Sequence, residues 1–406
     1  MFVIMMQFYS STPAPDMHEM ARALRGDGHR VWVATPDGHG DLQWETGETR
    51  AVPGVPGVRP LPASIAKIKP LSMLGERWAQ IAYLFRVNRV LTEARPDIVQ
   101  VNPPAYALIF PLFGPRRAGY VLDVRQAGEV ARDGLLGRIK NWKSVIGLRL
   151  NARWFYDWSC YATEAAAERI LGSRWDRHAS VHRVGQDPAF LSWQWPGTVA
   201  QPATGPVRFV YVGTISRVRE LELLLEAIRL VAERGAAFHV AFLGPDDEGG
   251  YYQRMASSLE FDGRVSFHPP LPYAKVAAFI ADYDVALAYV PPRPDWKYQP
   301  TLKVLEYRAL GMPIIASDNP PNREVVTEGV NGLLVEHTAP AIARAMARFV
   351  EDREFLAAST AAARSMRQGR TWADAARLYL TIVYTRLHQT KDPATMDTAG
   401  RTGGRP

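Results

Sequence analysis

The chain of 406 residues contains one cysteine, Cys160. An intrachain disulfide and any cysteine-based zinc site are excluded, and a reducing compartment, the cytoplasm, is the expected setting. It also lacks any apolar run of the roughly 18 residues that a membrane-crossing helix needs. The apolar start, Met1 to Tyr9, has no basic leader and no small-residue cleavage site, so it reads as a first buried strand. Acidic residues are in short supply, 41 against 48 Lys and Arg, for a net charge of +7. The excess concentrates between Arg116 and Arg153, where nine Lys/Arg face three Asp/Glu. No nucleic-acid-binding motif accompanies it, so nucleic acid is not an expected partner. What remains is a globular composition, 47% hydrophobic and 22% charged, in a chain long enough for two domains.

The first half alternates strands and helices. Strands are expected at Phe2–Tyr9, His29–Thr35, Asp97–Asn102, Tyr120–Val124, Ser159–Thr163 and Val181–Val184. Between them lie helices at Pro15–Gly26, Leu74–Ala94 and a short one ending at Phe113, and a Pro/Gly-rich loop from Thr35 to Pro62. A polar stretch, Ser192 to Pro206, separates this set from a second. There, strands at Val207–Val212, Phe238–Gly244, Arg264–Phe267, Asp284–Tyr289, Pro313–Ser317 and Gly332–Val335 alternate with helices at Glu220–Arg234, Tyr251–Glu260 and Tyr273–Ala281. Such alternation implies parallel sheets covered by helices on both faces, in tandem. The expected organisation is a domain over 1–190, a linker at 191–206, a second domain over 207–371, an amphipathic helix at 372–390 that crosses back to the first domain, and a disordered tail at 391–406.

Two segments carry chemistry. In Pro300 to Ser317 a helix begins after a proline, carries Lys303 and Glu306 in its first turns, ends at Gly311 and runs into a β-branched strand. Helix N-terminal N–H groups favour phosphate, Lys303 adds positive charge, and Glu306 can accept from sugar hydroxyls. An amphipathic helix with a solvated Lys and Glu is the plain alternative. The second segment, Arg138 to Trp158, is helical in period, with Ile139, Trp142, Ile146, Leu150 and Trp154 on one stripe. Arginine, lysine and tryptophan together suit an anionic membrane surface. A core helix with a solvated basic face reads equally well.

Segments along the second half carry a resemblance. They are Tyr211-Val-Gly213-Thr214-Ile-Ser216-Arg217 with the helix after it, Ala241-Phe-Leu-Gly244-Pro, Val265-Ser-Phe267 to Tyr273, Tyr283-Asp-Val-Ala-Leu, Leu302-Lys303-Val-Leu-Glu306-Tyr through Gly311-Met-Pro, and Val325 to Gly332. Together they resemble retaining glycosyltransferases of the family-4 group, in the subgroup that assembles bacterial surface polysaccharides. The first half resembles the same family at Ala21 to Val31, Arg95-Pro96-Asp97 and Gly185-Gln-Asp187. The resemblance implies an α/β GT-B fold, two doubly wound Rossmann-like domains facing a central cleft. It implies a nucleotide diphosphate sugar as donor and a polyprenyl-linked or saccharide acceptor, and the basic, tryptophan-bearing segment adds an anionic membrane surface, at the inner face of the plasma membrane, as a further expected partner.

Carried onto this chain, it gives Arg219 and Lys303 as catalytic cations that neutralise the departing diphosphate. Donor contacts fall on Gly213, Thr214, Arg217, Leu271, Thr301, Leu302 and Glu306, and acceptor or cleft positions on His18 and Arg125. No metal and no cofactor are expected, and Asp282-Tyr-Asp284 reads as a helix-to-strand boundary. The chain departs from the family pattern in three places. Tyr298 stands where a first glutamate is usual, Ser11 to Asp16 replaces a glycine pair, and Asp123-Val-Arg125 stands at the expected histidine. A nucleotide-sugar 2-epimerase of the same architecture and a noncatalytic nucleotide-sugar-binding subunit are the alternatives.

Overall fold

A computed structural model gives the fold. It describes the chain outside residues 9–14, 38–40, 49–51, 59–68, 104–105, 126–134, 178, 183, 196–204, 260, 262, 294–295, 297, 299–300 and 392–406. The chain forms two compact units, one taking Met1–Gly128, Arg132–Val184 and the chain from Trp372 onward, the other Gly185–Thr371.

The first unit is built on a seven-stranded sheet in the order β3-β2-β1-β4-β5-β6-β7. Its strands are β1 (Phe2–Met6), β2 (Arg30–Pro36), β3 (Leu42–Glu45), β4 (Ile98–Val101), β5 (Gly119–Val124), β6 (Trp158–Tyr161) and β7 (Ala179–Val181). All pairings are parallel except β2 with β3. Continuous apolar runs such as Phe-Val-Ile-Met-Met in β1 are buried throughout, as strands covered on both faces require. Cys160 lies in β6, fully buried, and burial pushes its thiol well above the ordinary range, so it is unreactive. The last helical stretch, from Trp372 to Lys391, packs on Pro15–Gly26 and β5 of this unit.

Three expectations need correction here. The loop from Thr35 to Pro62 contains β3, an edge strand with Leu42 buried and Trp44 edge-on to Trp32 at 6.1 Å. One buried residue in four leaves no periodic pattern to read. The basic helix runs over Leu135–Leu150 and ends in a π-helical turn, Asn151–Phe155, because Trp158 opens β6. The strand expected at Val181–Val184 lies at Ala179–Val181, paired with Ser159 to Tyr161.

The second unit carries a six-stranded parallel sheet in the order β10-β9-β8-β11-β12-β13. Its strands are β8 (Val207–Val212), β9 (Phe238–Leu243), β10 (Val265–His268), β11 (Val285–Ala288), β12 (Ile314–Ser317) and β13 (Gly332–Val335). Helices Leu221–Ala232 and Ala339–Glu351 pack together over one face, and their buried Leu224, Ile228, Met346 and Phe349 join Phe209 and Phe242 in the core. Two helices, Ala339–Glu351 and Arg353–Ser365, follow β13, where the sequence reading placed nothing before Trp372. Their caps were legible, because Thr338 accepts from the Ala341 N–H and Asp352 from the Phe355 N–H.

One side chain clips the second unit together. Arg367 donates to four carbonyls, those of Ala309 (2.8 Å), Trp193 (2.9 Å), Leu191 (3.0 Å) and Phe190 (3.2 Å). It ties the end of the Lys303 helix to the segment that follows β7. Arg367→Ala leaves those acceptors unsatisfied, and urea unfolding should show a loss of about 2 kcal/mol or more. Unchanged stability would mean that water replaces the guanidinium without cost.

Candidate active site

In an open parallel sheet the crevice outside the carboxyl ends of the strands, where the strand order reverses, is the natural ligand site. In the second unit that reversal falls at β8, flanked by β9 on one side and β11 on the other. The chain leaves β8 through Gly213, whose φ of +148° is open to glycine and rarely to other residues. Gly213 N–H donates to the Leu243 carbonyl at 2.9 Å. A Cβ on Gly244 would stand 2.2 Å from the Gly213 oxygen, so the turns after β8 and β9 are laid directly against each other.

Lys303 arrives from the helix Leu302–Leu310, which follows β11. Its ammonium sits 3.8 Å above the Tyr211 ring, and a Cβ on Gly213 would meet Nζ at 3.0 Å. Lys303 and Glu306 are 7% and 4% exposed. The solvated-helix alternative for these two residues therefore fails. Arg219 comes from the turn Arg217–Arg219, with its guanidinium 4.3 Å over the Trp296 ring. Its charge is felt by both Lys303 and Tyr211. The structure thus brings Arg219, Lys303 and Gly213 together around Tyr211.

The polar atoms of this gap are unspent. Lys303 Nζ, Arg219 Nη1, Thr301 Oγ1 and the Tyr211 hydroxyl are all buried and find no hydrogen-bond partner among the described residues. Thr301 is the N-cap of the helix, yet its hydroxyl accepts from no first-turn N–H. The N–H groups of the first turn, Leu302 and Lys303 among them, are thus not consumed by a side-chain cap. Burial holds the Lys303 ammonium well below the ordinary lysine range; Arg219 adds to the effect and Glu306 opposes it. Burial raises Glu306 to about 7, against the pull of the Tyr273 hydrogen bond and of Lys303. The buried Lys303 ammonium and the buried Nη1 edge of Arg219, with little counter-charge beside them, favour an anion.

The remaining expected residues are placed as follows. Thr214 follows Gly213 in the turn, partly exposed, and Leu271 lies partly exposed between β10 and the helix Tyr273–Ala281. Arg217 points elsewhere, pairing with Glu248 at 3.3 Å and stacking on Tyr251 at 4.4 Å, with its side chain 64% exposed. It is thus engaged outside the gap. Asp284 accepts from the Arg208 N–H at 2.8 Å, as a strand-boundary residue would. In the first unit His18 Nδ1 lies 2.5 Å from Glu45 Oε2, and Arg125 Nε donates to both oxygens of the buried Asp123 at 2.8 and 2.9 Å. The Ser11-to-Asp16 segment lies outside the described residues, except that Pro15 and Asp16 open a helix.

Sequence reasoning missed four supporting residues. Tyr273 donates to Glu306 Oε1 at 2.5 Å and so fixes the carboxylate. Tyr211 and Trp296 present ring faces to the two cations. Glu220, at a left-handed φ of 49°, turns the chain into the helix Leu221–Ala232 immediately after Arg219. Its carboxylate meets His337 Nε2 at 2.7 Å, and its carbonyl accepts from the Tyr289 hydroxyl at 3.2 Å. Only Tyr211 left a trace, as a polar tip near the end of a buried strand.

Known protein families match both halves of the chain. Residues 206–352 match the family described as glycosyl transferases group 1, and residues 11–185 match the glycosyl transferase 4-like domain. A D-inositol 3-phosphate glycosyltransferase of Streptomyces griseus is 27% identical over 177 residues, 41% of this chain and 36% of that protein. The putative colanic acid biosynthesis glycosyltransferase WcaL of Escherichia coli is 27% identical over 172 residues, 42% of this chain and 41% of that protein. The matched stretches thus span well under half of these relatives. Among solved structures, Anabaena Alr3699/HepE in complex with UDP superposes with a TM-score of 0.64 at 14% identity, over 95% of this chain and 99% of that one. Sucrose-phosphate synthase from Thermosynechococcus elongatus gives 0.64 at 15%, over 96% and 99%. At such identities these two speak for the fold alone. With both halves matched in order and two doubly wound sheets beneath them, the chain belongs to the group 1, 4-like glycosyltransferases of GT-B fold.

Proposed function

We propose that this chain moves a sugar from a nucleoside diphosphate sugar to a saccharide or polyprenyl-linked acceptor in bacterial polysaccharide or glycoconjugate assembly, with retention at the anomeric carbon. One observation carries the reading: Lys303 Nζ and Arg219 Nη1, both buried and without a hydrogen-bond partner among the described residues, beside the Gly213 turn. A diphosphate supplies the charge and acceptor atoms they lack. Relatives named for colanic acid and O-antigen biosynthesis support the class of product.

In the reaction the bond from sugar C1 to the phosphate oxygen breaks and a bond from C1 to the acceptor oxygen forms on the same face. The acceptor proton passes to the departing phosphate oxygen. Lys303, Arg219 and the first-turn N–H groups meet the charge that grows on that oxygen, where fixed donors in a dry site are worth most. Glu306, held by Tyr273, orients the nucleoside ribose. The two cations fill the place a divalent metal takes elsewhere, so transfer proceeds without one.

Binding should be proton-linked. Burial is the first cause that holds Lys303 below its usual range and raises Glu306 to about 7. A bound diphosphate favours protonated Lys303, so binding takes up a proton there, while Glu306, accepting from the ribose hydroxyls, favours its carboxylate and opposes that uptake below about pH 7. Affinity for UDP or GDP should fall with rising pH above the lowered Lys303 value, by at most about tenfold per unit. Calorimetry in buffers of different ionisation enthalpy measures the uptake, and a thermal-shift panel of nucleotide sugars selects the base. At 100 times Kd a true donor adds about 2.7 kcal/mol of stability. Binding without proton uptake above about pH 7 would remove Lys303 from the phosphate site. Failure to bind any nucleoside diphosphate would remove the transferase reading, and donor conversion without acceptor would replace it with an epimerase.

A further inference from the structure

The first unit hides less of its apolar surface than its sheet would lead one to expect. Of the fifteen large hydrophobic side chains exposed among the described residues, ten lie between Leu74 and Trp154. They include every exposed tryptophan and phenylalanine: Trp78 (67%), Phe85 (42%), Phe113 (58%), Trp142 (64%) and Trp154 (77%).

The topology gathers these residues into one layer. After the antiparallel edge strand β3, which turns back beside β2, the chain passes to β4, β5, β6 and β7 in one direction across the sheet. Right-handed crossovers then lay the helices Lys69–Ala94, Ile109–Phe113, Leu135–Leu150 and Glu164–Leu171 on one face. The Pro15–Gly26 helix, which connects β1 to β2 in the opposite direction, takes the other face with the final helix packed on it. Contacts within the layer agree: Phe85 and Phe113 meet at 5.1 Å, and helix Leu135–Leu150 packs against Glu164–Leu171.

Two helices in this layer face the wrong way for a core. In Leu135–Leu150 and its π turn the packed positions include Gly137, Ser144, Val145, Leu148 and Ala152, while Ile139, Trp142, Leu150 and Trp154 stand outward. The core-helix alternative for this segment therefore fails. Helix Lys69–Ala94 repeats the arrangement, with Leu74, Trp78 and Phe85 outward at helical spacing and Tyr83, Leu84 and Val87 inward. Between and beside the aromatics stand exposed Arg77, Arg116, Arg117, Arg138 and Lys143. Of the three acids between Arg116 and Arg153, Asp123 is buried. Among the described residues no helix is long and apolar enough to cross a membrane.

We infer that this helical layer docks flat on an anionic lipid bilayer, with its tryptophans and phenylalanines at headgroup depth and its cations on lipid phosphates. Charge complementarity selects the bilayer over a second copy of the chain, since the exposed charges beside the outward aromatics, Arg77, Arg116, Arg117, Arg138 and Lys143 against Glu76, are predominantly basic and would repel their own image. Trp and Arg together are the residues that an interface with one wet and one apolar side holds best. The surface extends beyond the single basic helix that the sequence suggested. It serves the lipid-linked acceptor reading but stands on separate observations, and its test does not use the transfer reaction.

The test uses the full chain and two sets of vesicles, phosphatidylcholine alone and phosphatidylcholine with about one-third phosphatidylglycerol. Sedimentation should recover the protein with the anionic vesicles only, and recovery should fall as salt rises. Bromine on the acyl chains near the headgroups should quench tryptophan emission. The double variants Trp142→Ser/Trp154→Ser and Trp78→Ser/Phe113→Ser should each weaken partitioning by about tenfold or more. Val330→Ser, exposed on the second unit, should leave it unchanged. All of these side chains are solvent-facing, so melting curves and UDP binding should match wild type. Equal recovery with both vesicle types, unquenched emission, or variants that partition like wild type would overturn the proposal. So would a concentration-dependent dimer that the same variants abolish, which would assign the face to a second copy.

Discussion

Lys303→Met should yield a protein that is more stable than wild type and almost inactive. On the proposed mechanism activity falls because the ammonium would meet charge that develops on the leaving phosphate. Removing one such fixed donor costs about 100- to 1,000-fold in kcat. Stability rises because the same ammonium is buried beside Arg219, without a hydrogen-bond partner among the described residues. Replacing it by an apolar chain of similar volume should contribute about 1–2 kcal/mol, after the lost contact with the Tyr211 ring is set against it.

The pH dependence of that gain has a definite sign. The folded protein holds Lys303 below the ordinary 10.5, so in that window the unfolded chain binds more protons and wild-type stability rises with pH. The advantage of the methionine variant should be full below the lowered value and shrink toward 10.5. Glu306 runs the other way. With its carboxyl raised from 4.5 to about 7, it costs wild-type stability as pH rises through that interval. Urea unfolding across pH, paired with steady-state rates, separates the two. A variant that is both less stable and fully active would contradict the phosphate assignment.

Gly244→Ala should be the most damaging single methyl group in the second unit's site. The added Cβ would sit 2.2 Å from the Gly213 oxygen and 2.7 Å from its carbonyl carbon, both backbone atoms that cannot rotate aside. The backbone at Gly244, with φ +154°, is also one that other residues rarely adopt. The turn after β8 must move, and it carries the glycine against which Lys303 rests. We expect about 3 kcal/mol of lost stability and the loss of nucleoside diphosphate binding. Gly213→Ala strains a similar backbone, φ +148°, but its Cβ meets only the flexible end of Lys303 at 3.0 Å, so it should lose less stability while still displacing the ammonium. If Gly244→Ala binds UDP as wild type does, the two turns are not coupled as their contact implies.

How much of this was legible without coordinates varies from element to element. The runs Val207–Val212 and Phe2–Met6 announce buried parallel strands, because a strand covered on both faces has no polar alternation. Tyr273–Ala281 could be read to the residue from its apolar spacing and the proline before it. β3 could not be read, since one buried leucine on an edge makes no pattern. Burial was opaque for a related reason. Lys303 and Glu306 look like a solvated pair three residues apart, and only their neighbours across the sheet remove the water. Arg217 and Arg219 are two positions apart and alike on paper. The turn sends one outward to Glu248 and the other toward Lys303, because Glu220 reverses the chain between Arg219 and the helix. Trp142 and Trp154 show the converse, apolar periodicity whose direction the sequence leaves open.

What the residues determine unaided are the local quantities: strand and helix types, the caps, the glycine turn after β8, the shortage of acids, and the family. The tertiary structure alone decided which charges lose their water, which tyrosines hold them, and which apolar stripes are left outside. Periodicity places side chains on a face of their own element, but solvation depends on what the rest of the chain brings against that face, through contacts as distant as Tyr273 from Glu306.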